Sequence, residues 1–208
     1  EKILPQGTID LMPALANCTA DLPQLTPDLD AVAALNYTGG TTGMPKGCVH
    51  TQRDMLYTAA TTCTVANDIQ PDEIVLNFMS LFWIAGENAG MLFPLFCGTT
   101  VVLLARWDPV GVMAAVERYR VTRIGMLVDN AAEILDHPDA GKYSMRSLRA
   151  TRVSSFVKKI NPTFRKRWVD LTGSVIAEAA WGMSETHTCD TFTTGFQDND
   201  LDLRGQPV

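Results

Sequence analysis

The chain has no excess of positive charge, no long apolar run and no paired cysteines. Lys and Arg total 17 against 23 Asp and Glu, a formal net charge of −6. Gripping nucleic acid takes a basic face. The densest basic cluster, Lys158-Lys159 with Arg165-Lys166-Arg167, reads as a solvated helix face, so no nucleic-acid partner is expected. No apolar stretch reaches the roughly 18 residues of a membrane span, which predicts no integral membrane segment. The opening Glu1-Lys2-Ile3-Leu4-Pro5 is not a signal peptide. It also lacks an initiator Met, so the chain is expected to be processed or cut from something longer. The five cysteines (Cys18, Cys48, Cys63, Cys97 and Cys189) are odd in number and scattered, with no CxxC pair. That argues against a zinc site or a disulfide framework and for reduced thiols in a cytoplasmic setting. There is no internal repeat and no low-complexity segment.

What remains is globular. Hydrophobic residues make up 46% of the 208 and charged residues 19%, enough for a substantial core. Pro5, Pro13, Pro23 and Pro27 punctuate residues 1–30, which read as a surface connector, with Thr26-Pro27-Asp28 as a helix cap. From residue 31 onward, strands and helices alternate. The patterning predicts a buried strand over 32–37 and a return strand over 47–49. A helix over 51–67 is capped by Thr51 with Asp54 in its first turn. A strand is predicted over 72–77, a buried helix over 88–96 ending at Gly98, and a central β-branched strand over 99–104. Helices over 108–119, 129–135 and 161–171 then alternate with strands over 121–127, 148–153 and 174–180. This is an α/β fold, a mostly parallel sheet with helices on both faces. From Thr188 onward the pattern fades. In such sheets ligands sit beyond the carboxyl ends of the strands, and the two segments below are expected on that rim.

The first is Tyr37-Thr38-Gly39-Gly40-Thr41-Thr42-Gly43-Met44-Pro45-Lys46-Gly47. Glycines let a backbone turn through positive φ and approach a ligand closely. Successive N–H groups make an anion-attracting concavity, and a lysine adds a compact charge suited to phosphate. The segment reads as a phosphate-holding loop, with a plain Gly/Thr-rich hairpin as the bland alternative. It is not a P-loop, because Lys46 is flanked by Pro45 and Gly47. The second is Ala180-Trp181-Gly182-Met183-Ser184-Glu185-Thr186. An aromatic, a hydroxyl and a carboxylate can stack a base, touch a phosphate and bind magnesium, which takes one or two carboxylates besides phosphate oxygens. Two other readings stay open. One is a strand-end turn with an exposed Glu. The other is a G-x-S-x-G nucleophile elbow at Gly182-Met183-Ser184, for which the fifth position is Thr186 and none of His50, His137 and His187 is a clear partner.

The first segment resembles the Thr-Ser-Gly-Thr-Thr-Gly-x-Pro-Lys-Gly loop of the AMP-forming adenylating enzymes, with Gly39 in place of serine. The second is similar to that family's Tyr-Gly-Met-Thr-Glu motif, with Trp181 and Ser184 as departures that keep the chemistry. Between them, Met79-Ser80-Leu81-Phe82-Trp83-Ile84-Ala85-Gly86 is similar to a Pro-Leu-Phe-His segment bordering the acyl pocket. Ser154-Ser155-Phe156 stands where the family has its Gly-Gly-Ala adenine wall. The resemblance spans about residues 28–208. It implies a central fragment of the large amino-terminal domain, an α/β AMP-binding unit over 31–208 without the family's carboxyl-terminal domain.

The resemblance implies an activity: a carboxylic acid, fatty or otherwise apolar, is activated by ATP to an acyl-adenylate and passed to coenzyme A. The implied cofactors are ATP, Mg and coenzyme A, the partner is a small-molecule carboxylic acid, and a homodimer is possible in the parent. By the same resemblance Lys46, Ser184 and Glu185 are catalytic, and Glu185 takes the magnesium. Nucleotide contacts fall to Thr38, Gly39, Gly40, Thr41, Thr42, Gly43, Lys46, Ser154, Ser155, Phe156, Ala180, Trp181, Gly182, Met183 and Ser184. Trp83, Gly86 and Trp181 line the acid pocket. A luciferase-like enzyme, a peptide-synthetase adenylation domain, or a nucleotide-binding module without turnover shares these motifs. The fragment alone is expected to be weak or inactive.

Overall fold

A computed structural model of the chain describes residues 6–19, 21, 24–39, 43–67, 69–178, 180–187, 191–192 and 206–207. Residues 11–16 form an exposed helix α1 (Leu11–Ala16), and no helix begins at Pro27. Strands β1 (Val32–Tyr37) and β2 (Gly47–Thr51) pair antiparallel, with Tyr37 opposite Gly47. The expected burial of β1 is corrected here. Val32, Leu35 and Tyr37 are all exposed, because the strand belongs to a separate two-stranded hairpin.

Thr51 then caps α2 (Gln52–Ala60). Its hydroxyl accepts from Asp54 N, while the Asp54 carboxylate accepts from Thr51 N at 2.8 Å, a reciprocal capping box. The helix widens into π-type turns over Thr61–Ala66. After β3 (Ile74–Asn77), a continuous helical stretch comprises α3 (Ile84–Glu87), a π-type segment Asn88–Leu92, and α4 (Phe93–Cys97). Gly98 ends it at φ 70°, a left-handed stop that favours glycine.

The remaining elements alternate as the patterning predicts: β4 (Thr100–Leu103), α5 (Pro109–Tyr119), β5 (Arg123–Leu127), α6 (Val128–Asp136), β6 (Ala150–Ser154), α7 (Pro162–Thr172) and β7 (Ile176–Glu178). The five strands form one parallel sheet in the order β4-β3-β5-β6-β7. The β4 segment, read as central, lies at the edge, with Thr100 and Leu103 exposed. Its β-branched residues mark a strand but do not count its neighbours.

Helices α5, α6 and α7 cover one face. Val112, Met113, Val116, Ile134 and Trp168 pack there against Ile124, Val153 and Ile176. Trp168 is fully buried, and its indole N–H donates to Thr151 Oγ1 at 3.1 Å, which satisfies the one polar atom the ring brings inside. The helical stretch over residues 84–97 packs on the other side, with α2 beside it. A short second sheet joins β8 (Ala180–Trp181), β9 (Thr191–Phe192) and β10 (Gln206–Pro207). Among the described residues no helix is long and apolar enough to cross a membrane.

Candidate active site

The hairpin is pinched at the base of its loop. Thr38 N donates to Lys46 O at 2.9 Å, and Lys46 N donates to Thr38 Oγ1 at 3.2 Å. The Tyr37 ring lies over Gly47, where an added Cβ would sit 3.4 Å from Tyr37 Cζ. Gly39 and Gly43 take no positive φ, yet a Cβ on either would meet nothing within 4 Å. At these two positions the missing side chain leaves open space beside the backbone, room for a ligand rather than a special turn. Lys46 is exposed. Gly40, Thr41 and Thr42 lie outside the described residues.

The strand that leads into the loop is not, as expected, a strand of the parallel sheet. The loop hangs from the separate hairpin, and tertiary packing brings that hairpin to the second motif. Both β1 and β2 contact the single turn Ser184–Thr186 that follows β8. His50, the one buried residue of β2, reaches Ser184 O with Nε2 at 2.8 Å. A carbonyl only accepts, so Nε2 carries the hydrogen. The bond goes to the backbone and not to Ser184 Oγ, so these residues do not make the Ser–His pair of a hydrolase.

The His50 and His187 rings meet edge-on, centroids 4.8 Å apart. Asn88 Nδ2 donates to His187 O at 3.2 Å. His187 takes φ 59° and is 1% exposed. Burial, and then the neighbouring His50, push its pKa below the ordinary histidine value. The Cys48 thiol is pushed up by burial and by the charge of Glu185, which places that carboxylate within electrostatic reach of β2. Glu185 itself is exposed and Ser184 half-buried. Among the described residues no group of three or more His, Cys, Asp or Glu side chains could hold a metal by itself.

Beside the motif lies a cavity of about 630 Å³. Trp181 and Gly182 line it, as do Trp83, Ser154, Ser155 and Phe156. The adenine-wall candidates and two of the pocket candidates thus share one space. Gly86 does not line it. A Cβ there would stand 2.1 Å from Ser80 O, so Gly86 makes room for backbone, and Ala85 faces the cavity instead. Thr38, Gly39, Gly43, Lys46, Met183, Ser184 and Glu185 lie outside its wall, on the hairpin side. Ala180 lies in β8. Two adjoining regions result, one polar and one apolar, and Trp181-Gly182 is the stretch of chain that joins them.

Sequence reasoning found no role for His50 and missed Glu178 and two arginines. The Glu178 carboxylate accepts from Ser155 N at 2.8 Å and from Ser155 Oγ at 2.6 Å, and so fixes the loop after β6 from the neighbouring strand. Arg123 and Arg152 line the cavity. Burial and the charge of Arg123 bring Arg152 down to about 10. No short-range pattern announces these four residues. His50 and Ser184 are 134 positions apart, and Ser155 and Glu178 are 23 apart.

Comparison with known proteins agrees with this geometry. The profile of the family described as AMP-binding enzyme matches residues 5–208. The chain is 28% identical over 149 residues to 4-coumarate-CoA ligase 1 of Narcissus pseudonarcissus, covering 70% of this chain and 27% of that protein. It is 26% identical over 165 residues to a long-chain-fatty-acid–CoA ligase of Bacillus subtilis, covering 79% of this chain and 29% of that protein. The chain therefore spans less than a third of the length of these relatives. A crystal structure of the anthranilate CoA ligase AuaEII in complex with anthranoyl-AMP superposes with a TM-score of 0.86 at 20% identity, covering 100% of this chain and 40% of that one. Glycine loop, aromatic-to-carboxylate motif, parallel α/β sheet and a match over nearly the whole length coincide: the chain belongs to the AMP-binding enzyme family.

Proposed function

We propose that this chain is the nucleotide- and acid-binding part of an enzyme that activates an apolar carboxylic acid with ATP and passes it to coenzyme A. The observation that carries the reading is the joining of the two regions. Trp181-Gly182 lines an apolar cavity suited to an acid, and the chain runs directly into Ser184-Glu185, which the glycine-loop hairpin touches. An acid carboxylate at the mouth of the cavity would then meet phosphate held between hairpin and turn.

Each side chain has a definite task in this reading. Open backbone at Gly39 and Gly43, the Thr38 hydroxyl and the Lys46 ammonium neutralise and position the outer phosphates of ATP. The residues present fit magnesium, which needs only one or two protein carboxylates when phosphates supply the rest. Glu185 is exposed beside the hairpin and is the residue that would hold it, while the metal would neutralise phosphate charge. Ser184 Oγ donates to the α-phosphate, and His50 keeps the Ser184 backbone in place. Trp181 and Phe156 border the adenine and the acid. Ser155, held by Glu178, shapes the same wall. The first step would be attack of the acid carboxylate on the α-phosphate with departure of pyrophosphate, and positioning dominates its catalysis. The thiol of coenzyme A then displaces AMP.

The test is calorimetric titration of Mg-ATP into the chain, with Glu185→Ala and Lys46→Ala beside it. Binding that weakens at least tenfold in both variants is expected. Unchanged binding in both would remove the phosphate site from the hairpin and turn.

A further inference from the structure

One helical stretch, α3 with the π-type turns Asn88–Leu92, meets the cavity, the hairpin and the second motif's turn. Ala85 and Ala89, four residues apart, line the cavity, and that spacing puts them on one side of a helix. Gly86 and Gly90, also four apart, lie against the loop that follows β3. A Cβ on Gly86 would stand 2.1 Å from Ser80 O, and one on Gly90 2.4 Å from Asn77 Nδ2. The residues between reach the phosphate side. Glu87 Oε2 accepts from Asn36 Nδ2 of β1 at 2.9 Å. Asn88 Nδ2 donates to the carbonyl of His187, which ends the turn after β8, at 3.2 Å.

Each side of the stretch has a physical consequence. The loop under the glycines is itself fixed: Asn77 Nδ2 donates to Met79 O at 3.0 Å, and Met79 N donates to Asn77 Oδ1 at 3.3 Å. With that side anchored, the motion left to the stretch is toward or away from the cavity. Alanines at 85 and 89 let whatever fills the cavity pack close to the helix backbone, and such packing removes that motion. Asn88 is 1% exposed, and Asn36 and Glu87 are half-buried, so both bonds are shielded from water and hold their partners firmly. The winding changes from α to π at Asn88, the residue that reaches His187; π turns inside helices are rare and concentrate at functional sites. A first ligand that orders an element leaves less entropy to be lost by a second ligand that needs the same element ordered.

We propose that Glu87 and Asn88 are positioning residues that couple the two halves of the site. An acid packed against Ala85 and Ala89 fixes the helical stretch, and Glu87 and Asn88 carry that order to the phosphate-holding hairpin and turn. This coupling rests on the acid-activating reading and deepens it: ATP is held firmly only when an acid is present to attack it. Binding free energies couple reciprocally, so nucleotide tightens the acid by the same factor.

The experiment is calorimetric titration of the Mg complex of α,β-methylene-ATP into the full chain, without acid and with a saturating acid, the tighter binder of octanoate and benzoate. The methylene group replaces the oxygen that would depart with pyrophosphate, so binding is read without turnover. In the parent the acid is expected to raise nucleotide affinity at least about fivefold. In Glu87→Leu and in Asn88→Leu, similar in size but unable to make the two bonds, the rise should fall below about twofold. Glu87→Gln keeps a carbonyl oxygen for Asn36 Nδ2 and should retain the rise. A merely structural role would lower stability and leave the ratio of affinities unchanged. Each variant is accepted only if its circular dichroism matches the parent, and Glu87→Leu decides alone should Asn88→Leu not fold. A smaller rise in the parent, a larger one in a folded Leu variant, or its loss in Glu87→Gln overturns the proposal. If acid and nucleotide each bind but independently, the coupling alone has failed. If the nucleotide or both acids do not bind the parent, the acid-activating reading fails with it.

Discussion

Replacing His187 with Asn tests how the second motif is held. His187 is 1% exposed, and both its ring nitrogens lack a hydrogen-bond partner. Its pKa is held below the ordinary value by burial first and the facing His50 second. The Glu87 and Asp54 charges oppose that shift without reversing it. A histidine whose folded pKa is depressed is neutral in the native state where the unfolded chain takes up a proton. Its contribution is therefore present above the unfolded pKa of about 6.5 and declines as pH falls below it, until the folded pKa is reached. One proton at 1.36 kcal/mol per unit limits the loss between pH 7.5 and 5.5 to about 1.4 kcal/mol. Asn tolerates the left-handed backbone at this position and does not titrate. Urea unfolding followed by tryptophan fluorescence at the two pH values should show the parent losing up to that amount more stability than His187→Asn. Identical losses in the two proteins would refute the reasoning and mean that His187 does not carry the pH dependence of this junction.

Three further outcomes follow from the same structure. Glu185→Gln should lower the pH midpoint of Cys48 alkylation, read by mass spectrometry of its peptide, because the Glu185 charge helps raise that thiol; an unchanged midpoint would separate the motif from β2. Trp168→Ala should destabilise the chain by about 3–5 kcal/mol and lower Tm by roughly 10 °C, since the ring is fully buried and its N–H is bonded to Thr151. Thr51→Ala should cost about 1 kcal/mol by urea midpoint, since it removes the hydroxyl that accepts from Asp54 N and half of the capping box.

Local signals carried most of the fold. Asp108-Pro109 and Asn161-Pro162 start α5 and α7 with a capping side chain and a first-turn proline, and Gly98 and Gly173 end α4 and α7 in the left-handed region. A cap is a contact within a few residues, so it is written in the chain next to the helix it serves. The β1–β2 hairpin shows the limit. Its strands were legible and their sheet was not, since partner choice depends on residues far away. For the same reason β4 was recognised as a strand and misplaced as central. Gly86 illustrates a further limit. Absence of a side chain is visible in the sequence, but whether the vacated space receives a ligand or, as here, the backbone of Ser80 is decided by packing.

The two motifs were readable because their chemistry is local: backbone turns, hydroxyls and one charge within about ten residues are recognised by order alone. The sequence by itself determined the alternation of strands and helices and the family to which the loop and the Trp-Gly-Met-Ser-Glu stretch point. Only the tertiary structure decided how these pieces meet. It set His50 against Ser184, Glu178 against Ser155, and Arg123 of the cavity wall against Glu73. Such contacts join residues tens of positions apart, and they form only when burial of the shared core brings the strands and turns that carry them together.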